Sequence, residues 1–140
     1  MEKREKGMYT VASVMKSPVV SIEADAPVME ALHRMREKGI SSILVKPQMP
    51  GDTYGIMTKR DIISKVVAKG ADPSKVRVGE IMSKPVITVP PEYSLKECST
   101  LMIREGIRRV PVARGGEIIG IVSDTDIFAA VEERGWGPGY

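Results

Sequence analysis

Two stretches of the chain set a hydroxyl and a carboxylate three residues apart behind a glycine and an apolar pair. They are Gly55-Ile56-Met57-Thr58-Lys59-Arg60-Asp61-Ile62 and Gly120-Ile121-Val122-Ser123-Asp124-Thr125-Asp126-Ile127. At a strand-to-helix turn this spacing has two chemical uses. Thr58 or Ser123 can cap the helix, with Asp61 or Asp126 completing a capping box, an arrangement that contributes about 1 kcal/mol. Alternatively the turn faces a cleft, where the hydroxyl and backbone amides at a helix N-terminus meet a phosphate. The Asp would then accept two hydrogen bonds from the cis-diol of a ribose. The two uses compete for one carboxylate.

The elements that must position these turns are themselves duplicated. Val11-Ala12-Ser13-Val14-Met15-Lys16-Ser17-Pro18-Val19-Val20-Ser21-Ile22 returns 67 residues later as Val78-Gly79-Glu80-Ile81-Met82-Ser83-Lys84-Pro85-Val86-Ile87-Thr88-Val89. Gly39-Ile40 recurs as Gly106-Ile107 in the same register, and the turns follow after a two-residue slip. A duplicated unit predicts two half-modules packed about a pseudo-two-fold axis, with doubled sites. Each half, at about 60 residues, lies near the lower limit for an adequate core, so the halves are expected to share one core.

Each half reads as strand, helix, strand, strand, helix. Val19 to Ile22 is a short strand, and Pro27 opens a helix carrying Val28, Ala31, Leu32 and Met35 that Gly39 stops. Ser42 to Val45 and Tyr54 to Met57 are strands around a Pro47 to Gly51 hairpin, and Ile62, Ile63, Val66 and Val67 form the stripe of a second helix. In the second half, Val86 to Val89 is the strand and Leu95, Cys98, Leu101 and Met102 mark the helix ending at Gly106. Strands at Arg109 to Ala113 and Glu117 to Val122 precede a helix with Ile127, Phe128 and Val131. Gly70 to Ser74 is a linker, and the tail from Gly135 holds Trp136 and Tyr140, which give it a reason to dock on a partner chain.

Composition narrows the function classes. The 140 residues carry a net charge of +3, too weak a balance to argue nucleic-acid binding, and part of it sits in Lys3-Arg4-Glu5-Lys6. The single cysteine, Cys98, excludes an intrachain disulfide and falls on an apolar helical stripe, which reads as packing rather than nucleophilic chemistry. His33 has no second His or suitably spaced Cys, so no metal is expected. No apolar run approaches the ~18–20 residues of a membrane span, and residues 1–10 lack a signal-peptide core, so the expected location is cytoplasmic. There is no phosphate-binding Gly-x4-Gly-Lys-Ser/Thr, no dinucleotide fingerprint and no nucleophile with a base, so no enzyme activity is expected.

Two β-α-β-β-α units, each opening with Met-x-x-Pro-Val and closing with Gly-Ile-apolar-Ser/Thr-x-x-Asp-Ile, resemble a CBS-domain pair, the Bateman module. Gly106-Ile107-Arg108-Arg109-Val110-Pro111-Val112 is similar to that family's Gly-Ile/Val-x-x-apolar-Pro-Val element, and Gly39-Ile40-Ser41-Ser42-Ile43-Leu44-Val45 matches it without the proline. The resemblance sets repeat 1 at 10–69 and repeat 2 at 77–133, with an extension at 1–9 and a tail at 134–140. It implies an α/β fold and a regulatory module that binds an adenosine-containing ligand, typically AMP, ADP, ATP or S-adenosylmethionine, with no other cofactor. One cleft would combine Ile56, Thr58, Arg60 and Asp61 with Ser83, Pro85, Val86, Ile107, Arg108 and Arg109. The other would combine Ile121, Ser123, Thr125 and Asp126 with Lys16, Pro18, Val19, Ile40 and Ser41. Ribose falls to Asp61 or Asp126, phosphate to the hydroxyls and cations, and adenine to the apolar residues. The resemblance also implies a homodimer through helices 59–69 and 124–134, and a regulated partner protein.

The copies differ in charge. The first cleft gathers Lys59, Arg60, Arg108 and Arg109, while the second has Ser41 and Ser42 in place of the arginines and sets Asp124 beside its turn. An extra carboxylate near a phosphate costs about 1–4 kcal/mol at intermediate dielectric, so the Asp61 cleft is expected to hold a phosphorylated adenosine more tightly. Glu80, at the entrance of the favoured cleft, opposes this. Two other readings stay open: a nucleic-acid-associated protein, and a structural pair in which both turns serve only as helix caps.

Overall fold

The computed structural model describes residues 9–17 and 19–135. Lys3 to Lys6, Pro18, Trp136 and Tyr140 lie outside the described residues. The fold is mixed α/β, and the chain divides into two compact units: Val20–Val86, and Met1–Val19 together with Ile87–Tyr140. Each unit has its own buried cluster. The expectation of a single shared core is therefore corrected, and the reason lies in how the units are composed. Each takes the helices and strands of one sequence repeat and adds the Met-x-x-Pro segment of the other, which supplies the missing apolar surface.

In the unit Val20–Val86, β1 (Ser21–Ile22) runs parallel to β2 (Ser42–Val45), which pairs antiparallel with β3 (Gly55–Thr58). Helix α1 (Val28–Lys38) starts after Pro27, the N-cap, and ends at Gly39, whose φ of 65° is a left-handed conformation that costs glycine little. Its Val28, Ala31 and Met35 reach the core with Ile22, Ile43, Val45 and Met57. Helix α2 (Lys59–Ile62) widens into a π turn, Ile63–Val67. Only Ile62 and Val66 of its predicted stripe are buried; Ile63 and Val67 are each 59% exposed. Four apolar residues in adjacent pairs make a band wider than the strip facing the core, so one residue of each pair turns outward. The short α3 (Val78–Ile81) belongs to the second repeat in sequence but packs into this cluster through Val78 and Ile81.

The other unit begins with a single 3-10 turn, Val11–Ser13, whose Val11 is buried among residues of repeat 2. Helix α4 (Leu95–Glu105) is capped by Ser94 and closed by Gly106, and it buries Leu95, Cys98, Leu101 and Met102. Strands β4 (Arg109–Arg114) and β5 (Glu117–Ser123) form an antiparallel pair, followed by α5 (Asp124–Arg134). Val86 to Val89 is not a strand, contrary to expectation. Only Val89 bridges, donating to the Pro111 carbonyl and accepting from Ala113 N–H. Pro85 and Pro90 flank the segment and supply no N–H, which leaves too little chain for a ladder. On α5, Ala130 is buried and Phe128 is 73% exposed, so the apolar stripe expected there is narrower than its sequence.

Candidate functional site

Both turns fold as complete capping boxes. Thr58 Oγ1 accepts from Asp61 N–H at 3.1 Å, and Asp61 Oδ2 accepts from Thr58 N–H at 2.9 Å and from the Thr58 hydroxyl at 3.1 Å. Ser123 Oγ accepts from Asp126 N–H at 3.1 Å, and Asp126 Oδ2 accepts from Ser123 N–H at 2.8 Å. The capping use of these carboxylates is thus present in both copies. One oxygen of each carboxylate, Oδ1, remains outside the box and carries a lysine instead. Lys65 Nζ lies 3.2 Å from Asp61 Oδ1, and Lys16 Nζ donates to Asp126 Oδ1. Burial by itself would raise the Asp126 carboxyl, but the hydrogen bonds from Lys16 and Ser123 outweigh it and hold it below the usual value of 3.8.

Backbone bonds join Lys16 and Ser83 of the Met-x-x-Pro segments to the strands that lead into the two turns. Ile56 N–H donates to the Ser83 carbonyl at 2.9 Å and Ser83 N–H returns a bond to Ile56 at 2.8 Å. Lys16 and Ile121 make the same exchange at 2.8 and 3.0 Å. The glycines of the motif explain how the segment comes so close. A Cβ on Gly55 would lie 2.7 Å from Met82 Sδ and 3.1 Å from the Ser83 carbonyl oxygen. On Gly120 it would lie 2.5 Å from Met15 Sδ and 3.2 Å from the Lys16 carbonyl oxygen. The duplicated Gly and the duplicated Met are therefore two faces of one contact, made across sequence repeats. Near Ser83, Lys84 Nζ pairs with Asp52 at 2.7 Å. That bond, with donors from the Gln48 and Thr53 amides, lowers the Asp52 carboxyl to about 2.

One unit thus holds Ile56, Thr58, Arg60, Asp61, Ser83, Pro85 and Val86 and joins Ile56 to Ser83; the other holds Ile121, Ser123, Thr125, Asp126, Lys16 and Val19 and joins Lys16 to Ile121 and Asp126. Ile107, Arg108 and Arg109 belong to the unit of Asp126, and Ile40 and Ser41 to the unit of Asp61. There the Arg108 carbonyl accepts from Asp124 N–H at 2.8 Å, and the Ser41 carbonyl accepts from Lys59 N–H at 3.0 Å, so both residues brace the turn of their own repeat. Ser42 is buried in β2, whereas Arg108 is exposed. Glu80 accepts from Arg77 N–H and so caps α3. A cavity of about 450 Å³ between α4 and α5 is lined by Met102, Ile103, Ile107, Arg108, Asp124 and Ile127 among others. It includes neither Ser123 nor Asp126.

Lys65 was not legible as a site residue, because it stands outside the repeated motifs; its signal was only an i+4 spacing from Asp61. Cys98 is buried, and burial pushes its thiol up to about 11, which leaves little thiolate at neutral pH. His33 is exposed on α1. Among the described residues no group of three or more His, Cys, Asp or Glu could hold a metal ion, and no helix is long and apolar enough to cross a membrane.

A profile of the CBS domain matches residues 11–68 and again 78–133. The chain belongs to the CBS-domain family. This CBS pair is 37% identical over 120 residues to an uncharacterized protein of Methanopyrus kandleri, covering 85% of this chain and 61% of that protein's length. Among solved structures it is similar to the hexameric CBS-CP12 protein from bloom-forming cyanobacteria, with a TM-score of 0.83 and 37% identity over 91% of this chain and 76% of that one. A signal-transduction protein with CBS domains from Burkholderia ambifaria, so described provisionally, gives a TM-score of 0.81 at 34% identity and covers 91% of this chain and 97% of its own. These neighbours are CBS-domain structures, so the fold expected from the duplicated motifs is the fold found.

Proposed function

We propose that this CBS pair is a regulatory module that binds an adenine nucleotide, AMP, ADP or ATP, at the Asp61 and Asp126 turns and passes occupancy to a partner protein or to its own assembly. The observation that supports this reading is that one constellation is built twice. In each copy a glycine-backed turn presents a hydroxyl, a carboxylate with one oxygen outside its capping box, and an apolar residue locked to the Met-x-x-Pro segment of the other repeat. The carboxylate would take the ribose diol, Ile56, Pro85 and Val86 or Ile121 and Val19 would flank the base, and Thr58, Arg60, Ser123 and Thr125 would face the phosphate. The Asp61 site is the better phosphate site, because Lys59 and Arg60 stand where the other copy has Asp124 and Thr125.

A nucleotide that binds one arrangement of the module better than another shifts that equilibrium by its differential affinity, and this shift is what a partner would read. Self-association is placed on helices 59–69 and 124–134. Ile63 and Val67 on the first and Phe128 on the second are exposed large apolar residues, a feature that marks contact surfaces when it is contiguous. The module is assigned to the cytoplasm, with no nucleic-acid or membrane partner and no catalysis of its own.

A thermal-shift screen with AMP, ATP and S-adenosylmethionine tests the reading. A ligand at 100-fold its dissociation constant stabilises by about 2.7 kcal/mol, and an unmoved melting temperature with all three contradicts it. The structural reading has one observation in its favour, since both capping boxes are complete. It requires that the screen show no shift.

A further inference from the structure

Each site carboxylate holds one lysine, and the two lysines are mounted on different elements. Lys65 sits one turn beyond Asp61 on the helix and also donates to the Ile81 carbonyl at 3.0 Å. Lys16 comes from the segment opposite the turn. The repeat register sets Ser83 against Lys16 and Ala130 against Lys65, so neither lysine is the copy of the other. A repeated residue would follow from duplication alone; a lysine placed on the same oxygen from two unrelated positions does not. Stability is a poor reason for it, since pairs with exposed lysines contribute about 0–1 kcal/mol, and the Lys16 side chain is 72% exposed.

The geometry around the carboxylates gives a better reason. Oδ2 of each is fixed by the amide of its capping residue, and Oδ1 by the lysine. A carboxylate offers about four lone-pair sites. At Asp126 one remains, because the Ser123 hydroxyl also bonds the carboxylate, and a second is released when that hydroxyl turns to another acceptor. At Asp61 one remains, and a second is released when the Thr58 hydroxyl turns to another acceptor.

We infer that Lys65 and Lys16 are the positioning residues for Asp61 and Asp126, each fixing one carboxylate oxygen so that the remaining lone pairs face a cis-diol. The inference rests on the ribose role proposed above, and its test is chosen so that the two can fail separately. Lys65→Met and Lys16→Met, with Lys65→Arg and Lys16→Arg as conservative partners, are made in the full chain. Backbone amide exchange is followed at Thr58 and Ser123, whose N–H groups bond the carboxylates, and affinities for AMP and 2′-deoxy-AMP are measured by titration.

The expected pattern is crossed. Lys65→Met speeds exchange at Thr58 about 10-fold and leaves Ser123 unchanged, and Lys16→Met does the reverse. Each Met variant loses the preference for AMP over 2′-deoxy-AMP at one site, and each Arg variant keeps it. A loss of fold would instead move both amides together and weaken both ligands alike. Uncrossed or unchanged exchange overturns the inference, as does an intact ribose preference in both Met variants. If the wild-type chain binds neither nucleotide, the ribose role falls, and the exchange pattern alone then upholds or overturns the positioning role.

Discussion

Lys16 and Ile121 stand in different sequence repeats, yet their backbones exchange both hydrogen bonds, at 2.8 and 3.0 Å. The neighbouring Gly120 permits this closeness, because a methyl group there would meet Met15 and the Lys16 carbonyl. Gly120→Ala is therefore expected to push the segment away and to destabilise the chain by about 1–3 kcal/mol, the usual cost of overpacking. Urea denaturation checks this, and an unchanged midpoint would show that Met15 moves aside without cost.

Acid titrates the same contact. The folded-state pKa of Asp126 is depressed, so its contribution to stability is full above the unfolded value near 3.8 and is lost as pH falls through the folded one. Asp126→Asn should lower the urea midpoint at neutral pH, and the gap from wild type should narrow as the pH falls below about 4. Midpoints that stay equally far apart over that range would count against the Lys16 bond.

The duplication, the fold class, the helix stops at Gly39 and Gly106 and both Thr/Ser-Asp caps were legible in the sequence, because each depends on residues close together in the chain. What was not legible depends on distant partners. Nothing local to Met15-Lys16 tells which glycine it will lie against; the pairing of Lys16 with the Asp126 turn and of Ser83 with the Asp61 turn came from the family resemblance alone, and the two separate cores that go with it stayed hidden. Val86 to Val89 looked like Val19 to Ile22 in composition, but Pro90 closes only the later segment. Ile63 and Val67 satisfied the apolar spacing and still face outward, since spacing gives the width of a stripe and not the width of the core beneath it.

Those outward residues carry a prediction. If helices 59–69 and 124–134 are the self-association surface, wild-type protein should sediment above the 15.3 kDa of one chain. Phe128→Asp and Ile63→Asp should return it to that mass with the fold retained, because both side chains are exposed. A wild-type protein already at 15.3 kDa would contradict the surface assignment.

Cys98 should behave as a packed side chain. With its thiol pushed up to about 11 by burial, labelling by an aromatic disulfide at mildly alkaline pH should proceed only as fast as the chain opens, and should become rapid in urea. Immediate labelling of the folded protein would place the thiol at the surface.

The central claim is that the two turns bind adenosine through their carboxylates. Calorimetric titration of AMP into wild type, Asp61→Asn and Asp126→Asn tests it most directly. The account predicts binding by the wild type and unequal losses, with Asp61→Asn the more damaging. Equal losses would remove the asymmetry between the sites, and AMP affinity unchanged by both substitutions, or no AMP binding by the wild type, would contradict the claim itself.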